Sequence, residues 1–255
     1  MDKNEIFKEI ATTIVKVVKE FSITAEKEVD DKYKTQFASS VFILTRIFTL
    51  IKIMVDRQDQ SQISDEEFES QILIWQACNS MIAAIQLIRQ GYPLEPQFLM
   101  RTAIESFSLA LSFHSNPDAY IKYLNEDLTG NNSFSIAKKI LPELGQIYGQ
   151  LSDVAHPSKR TTGNNYNEES HSIIIGGGYT DSSSHITLLN YSLLNYLLLT
   201  IWKGTELIFY RFEDDHKFWT ENSDGTFKFK IDESIKQIVS SIGDDFRTAL
   251  SAIKT

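Results

Sequence analysis

The stretch that decides the fold is Ser184–Phe212, SHITLLNYSLLNYLLLTIWKGTELIFYRF. It is apolar on nearly all sides, which is the pattern of a helix enclosed by other helices. It holds neither proline nor a turn cluster to stop it. Its apolar part, Leu188–Trp202, is shorter than the roughly 20 residues a spanning helix needs, and it carries Asn190 and Asn195. We therefore expect a central helix, with the rest of the chain supplying the helices that surround it.

Working outward, the same periodicity recurs. Phe37, Val41, Leu44, Phe48, Ile51 and Val55 keep helical spacing between Asp31 and Arg57. This segment carries Arg46 and Lys52, so it also reads as a core helix. Ser64 followed by Glu67 is a capping box opening a helix whose buried stripe is Ile74, Cys78, Met81, Ile85 and Ile88. Gly91, Pro93 and Pro96 end that helix and lead into the next, from Pro96 to Phe113. Asn116-Pro117 starts another, running to about Leu128. Ser133–Ala155 is helical with a kink or restart at Pro142. The ends of the chain add helices over Lys3–Lys27, with Asp2 and Glu5 in its first turn, and Asp232–Ile253. Lys159–Ser183 is non-helical around one short β-type run, Ser172–Ile175. Asn222-Ser-Asp-Gly225 followed by Phe227, Lys228, Phe229, Lys230 and Ile231 predicts a hairpin with one buried face. The expected fold is an all-α bundle of about eight helices with a small β-hairpin. It forms a single domain over 1–255, in which residues 1–90 could form a subbundle packed on 91–255.

Composition narrows the function classes. The chain has 255 residues and is 42% hydrophobic, enough for a sizeable core. Lys+Arg 25 against Asp+Glu 34 leaves a net charge of −9, which argues against DNA binding along a phosphate backbone. The single cysteine, Cys78, excludes an intrachain disulfide and a zinc site built on several thiolates. We read it as a small buried hydrophobe. No secretory signal, membrane span or metal-ligand spacing is expected, nor any cofactor, and a cytoplasmic location follows. The Gly176-Gly177-Gly178 run lacks the Lys-Ser/Thr of a P-loop and reads as a turn. The histidines His114, His171, His185 and His216 show no ligand spacing.

Two polar lines stand out on apolar helices. Gln97, Arg101, Glu105, Ser108 and Ser112 recur at helical spacing, and so do Tyr148, Ser152 and His156. A charge within an apolar helix is costly unless paired or wet, so each line faces solvent or a polar pocket. Arg101 and Glu105 can pair on the surface. In a pocket, Arg101 would hold an anionic group bidentately while Glu105 orients it. His156, before Pro157, either caps its helix or serves as an acid or base near neutral pH, with Asp153 or Glu105 beside it. Lys159-Arg160 adds local positive charge next to it.

The two motifs, Gln97-Phe-Leu-Met-Arg101-Thr-Ala-Ile-Glu105 and Tyr148-Gly-Gln-Leu-Ser152-Asp-Val-Ala-His156-Pro-Ser158, resemble those of a family of bacterial helical proteins of uncharacterised activity. That family carries an Arg-x-x-x-Glu helix and a helix ending in Leu-Ser-x-x-x-His, and the resemblance covers about residues 70–200. It implies a helical fold. There is a looser similarity to HEPN-like helical domains, some of which cleave RNA through an arginine a few residues ahead of a histidine; no arginine stands at that spacing before His156.

Three functions stay open at this level. The first is a ligand-binding or regulatory protein, in a bacterial defence or stress setting, holding a small anionic or polar ligand through Arg101, Glu105, Tyr148, Ser152 and His156. The second is a metal-independent HEPN-like ribonuclease using His156, Arg101 and Glu105 on RNA. The third is a structural protein whose lines are simply solvated. Homodimerisation through an apolar helical face is also open.

Overall fold

Ser64 opens its helix as the sequence predicts. Its hydroxyl accepts the Glu67 N–H at 3.3 Å, and the Glu67 carboxylate accepts the Ser64 N–H at 3.2 Å. Around this helix the computed structural model describes residues 22–57, 63–155, 166–167, 172–173, 184–212 and 215–253, together with Lys8 and Thr12. The helices are α1 (Ser22–Lys32), α2 (Lys34–Arg57), α3 (Asp65–Arg89), α4 (Glu95–Ser115), α5 (Pro117–Leu124), α6 (Gly130–Ile140), α7 (Glu143–Ala155), α8 (Ser184–Ile208) and α9 (Glu233–Ile253). Strand β1 (Tyr166–Asn167) pairs antiparallel with β2 (Ser172–Ile173), and β3 (Trp219–Glu221) pairs antiparallel with β4 (Phe227–Phe229). The fold is an all-α bundle with small antiparallel β elements. The expected N-terminal turn with Asp2 and Glu5, the residues about His171 and the glycine run 176–178 lie outside the described residues.

Local chemistry sets the boundaries. Gly91 adopts φ 77°, the left-handed conformation that ends α3. Asn116 ends α4 and caps α5, its side chain accepting the Asp118 N–H at 3.1 Å. Thr129 caps α6 in the same way, through the Asn132 N–H. Leu141-Pro142 separates α6 from α7, so the proline produces a restart rather than a bend within one helix. Several expected boundaries move. The helix Ser22–Lys32 passes the expected end at Lys27, α5 stops at Leu124 rather than about Leu128, α6 starts at Gly130 rather than Ser133, and α8 ends at Ile208, a 3-10 turn covering Tyr210–Phe212.

Helix α8 is the enclosed helix: every residue from Asn190 to Ile208 except Tyr196 is buried. It packs against α2, α3, α4, α7 and α9, while α4 packs against α3, α6 and α7. One apolar cluster takes in residues from α1 through α9, with Trp202, Phe107 and Met100 among its fully buried side chains. Cys78 lies inside it, and burial pushes its thiol pKa up to about 12. Among the described residues, Lys34–Asp56 and Asp65–Arg89 are long and apolar enough to cross a membrane by length and composition. Each also contributes to this cluster from one face while the other is exposed.

The hairpin corrects one expectation. The alternation Phe227, Phe229 and Ile231 does not make a buried face: Phe229 is 45% exposed and Ile231 39%. Burial comes instead from the opposite strand. Trp219 packs edge-on against Phe229 and donates its indole N–H to the Lys203 carbonyl at 2.7 Å. Three successive N–H groups, of Lys217, Phe218 and Trp219, donate to the Glu206 carboxylate at 2.9, 2.9 and 3.2 Å. The hairpin is thereby anchored on α8.

Candidate functional site

The polar line on α4 is not uniformly exposed. Gln97, Ser108 and Ser112 are buried, whereas the side chains of Arg101 and Glu105 are 30% and 49% exposed. Gln97 donates to the Asn190 side-chain carbonyl at 2.8 Å, and the Ser112 hydroxyl donates to the Leu109 carbonyl. Neighbouring elements thus cover both ends of the line and leave its middle turn open. The expectation of one solvated or pocket-facing line is corrected to a window at Arg101 and Glu105. The reason is tertiary: α8 crosses one end, so a side chain of the same line meets a protein partner there and water in the middle.

Tyr148 is brought to that window by α7. The Arg101 guanidinium carbon lies 4.9 Å from the centre of the Tyr148 ring, within cation–π range. Arg101 Nε donates to Glu105 Oε1 at 3.2 Å, and the Tyr148 hydroxyl donates to the same oxygen at 3.4 Å. The hydrogen bond to Glu105 raises the Arg101 pKa above its ordinary value, and burial opposes it. Phe134 on α6 backs the Tyr148 ring at 4.5 Å, and Lys138 stands 5.8 Å from the Phe134 ring. Ser152 is half-buried one helical turn beyond Tyr148. His156 lies outside the described residues, and so does its separation from Arg101. Three of the five expected residues (Arg101, Glu105 and Tyr148) therefore share one contact set.

The arrangement has a defined chemistry. A guanidinium can pair with a carboxylate or phosphate through two parallel N–H donors. Here Glu105 engages only Nε, and among the described residues neither Nη atom is engaged by a carboxylate. Glu105 and the Tyr148 ring hold the plane of the guanidinium, which lowers the ordering cost of gripping a two-oxygen anion.

Sequence reading did not anticipate a cleft of about 470 Å³ where the start of α3, the ends of α4 and α8 and the hairpin meet. His114 and His216 both line it. Tyr210 stacks on His216 with ring centres 3.7 Å apart, and Arg211 pairs with Glu67 at 2.6 Å. Among the described residues no group of histidine, cysteine and carboxylate side chains is placed to hold a metal ion. Only Phe134 and Lys138 had a usable signal, since they fall four residues apart on an expected helix.

Comparison with known proteins returned no match to this chain, whether by family model, by curated protein or by solved structure.

Proposed function

We propose that this protein binds a small anionic group, carboxylate or phosphate, at Arg101, in the window between α4, α6 and α7. The observation that carries this reading is the guanidinium fixed by Glu105 and Tyr148, with neither Nη atom engaged by a carboxylate among the described residues. Glu105 does not cancel the site, because its Oε1 serves Arg101 and Tyr148 and so sets the direction in which the guanidinium faces. Ser152 extends the same side of α7 by one turn and offers a further hydroxyl.

Calorimetric titration with inorganic phosphate and with acetate at low ionic strength tests the proposal. Binding should weaken about tenfold or more in Arg101→Ala, as loss of a charge-assisted hydrogen bond implies. Arg101→Lys should fall between, because an ammonium cannot make the two-pronged contact. Equal binding by wild type and Arg101→Ala would sink the reading. A parallel incubation with single-stranded RNA in chelator separates binding from chemistry. Cleavage that disappears in both Arg101→Ala and His156→Ala would turn the binding site into a ribonuclease site.

A further inference from the structure

On the opposite side of α7 from Tyr148 lies a partly open cavity of about 280 Å³, lined by α7, α8 and α9. Ile147, Leu199, Ile242 and Phe246 supply apolar walls, and Gln150 and Tyr196 supply hydrogen-bonding groups. Among the described residues, none that lines it is charged. An apolar concavity with a few polar groups is the general form of a small-molecule site, and this volume lies just under the lower bound of such sites, about 300 Å³. Tyr196 is the one residue between Asn190 and Ile208 that is not buried, so the enclosed helix is open to this cavity. Burial holds its phenol above the ordinary tyrosine value, which keeps it a neutral donor.

Gly243 gives the second, independent observation. It lies inside α9, where glycine is the least favourable residue short of proline. Crowding does not require it: among the described residues a Cβ there would meet only the Arg247 Nη1 atom, at an ordinary 3.7 Å. Its φ is not in the left-handed region either. What glycine does at this position is leave the α9 wall of the cavity open, since Gly243 is itself a lining residue between Ile242 and Phe246.

We propose that the α7–α8–α9 cavity is a binding site for a small, uncharged, largely apolar molecule carrying one hydrogen-bonding group, of about the size of a bicyclic aromatic, and that Gly243 is the residue that keeps it open. This site is independent of Arg101. It disfavours charged ligands, since no described lining residue is charged and the nearby Arg247 guanidinium is already paired with Asp244, so the lost hydration of an ion goes uncompensated.

The test is a nuclear magnetic resonance titration of the full chain with indole, and with indole-3-acetate as its charged counterpart. Indole should give saturable shifts at the Ile147, Tyr196 and Gly243 amides, with intermolecular contacts to the Ile147, Leu199 and Ile242 methyl groups. Gly243→Leu, which fills the cavity, should weaken indole at least tenfold, while Gly243→Ala should melt no lower than wild type. Indole-3-acetate should leave those amides unmoved. Shifts it causes around Arg101 and Tyr148 would report the other site and leave this one standing. Wild-type protein lacking the indole contacts overturns the proposal without reference to any variant. Undiminished affinity in a folded Gly243→Leu, or equal binding of the charged analogue in the cavity, also overturns it.

Discussion

Helices α8 and α4 both carry polar side chains through the core, but they use them in opposite ways. On α8, Asn190 accepts from Gln97 and donates to the Pro93 carbonyl. Asn195 accepts from the Ser40 hydroxyl at 2.6 Å and donates to the Gln36 carbonyl. Lys203 pairs with Glu143 at 2.7 Å with its ammonium 3.9 Å from the Phe229 ring, and Glu206 takes three backbone donors. The architecture consumes each of these groups. On α4 the middle of the line is held but not consumed, because among the described residues neither Nη atom of Arg101 is engaged by a carboxylate. Burial and polarity together do not mark a site. Directed hydrogen-bonding capacity left over after the fold has been built does.

This contrast can be broken at several points. The largest effect belongs to Glu206→Ala, which strands two buried N–H groups and a third that is part-buried. We expect a loss of about 3–5 kcal/mol in urea unfolding. A loss under about 1 kcal/mol would place Glu206 with the open groups of α4 instead. Gly204→Ala comes next. Its Cβ would collide with the Phe107 ring and press on Leu141, at the α8–α4 contact. Overpacking of this kind costs about 1–3 kcal/mol by the same measurement.

Tyr191 is the exception on α8, because among the described residues its hydroxyl has no hydrogen-bond partner. Burial, with Asp30 nearby, holds its phenol well above the ordinary value. Above pH about 10 the unfolded chain therefore releases a proton that the folded chain retains, and stability falls as pH rises through that window. Tyr191→Phe should flatten this alkaline decline and change neutral stability by less than about 1 kcal/mol, since no hydrogen bond is lost. An unchanged alkaline slope would assign the decline to another group. The smallest effect is Glu105→Gln, a few tenths of a kcal/mol at most, as for exposed ion pairs. A loss of several kcal/mol would mean that the window is structural after all.

The fold was legible wherever the signal was local. The Ser64–Glu67 box, the Asn116 cap, the Pro142 restart and the Asn-Ser-Asp-Gly turn each rest on neighbours in sequence, and each appears in the structure. The enclosed character of α8 was legible because a helix apolar on all sides has only one stable setting. The site was legible in part. Arg101 and Glu105 could be paired from their spacing, and Tyr148 was singled out on its own helix. That Tyr148 would lie under the guanidinium depends on how α7 docks on α4, which no local pattern encodes. Glu206 had no signal at all, because its partners are main-chain N–H groups that every sequence supplies. The buried ends of the α4 line were misread for a related reason, since helical spacing assigns a face but does not say where along its length that face is covered.

The Glu206 anchor has a kinetic side as well. A two-stranded hairpin alone is marginal in water and opens readily. This one is fastened to the most deeply enclosed helix by the three amides of Lys217, Phe218 and Trp219 and by the Trp219 indole. Those amides cannot open by fraying of the strand ends, and they can be released only when α8 itself lets go. In hydrogen exchange they belong with the slowest class, so a peripheral ribbon reports on the global unfolding of the bundle.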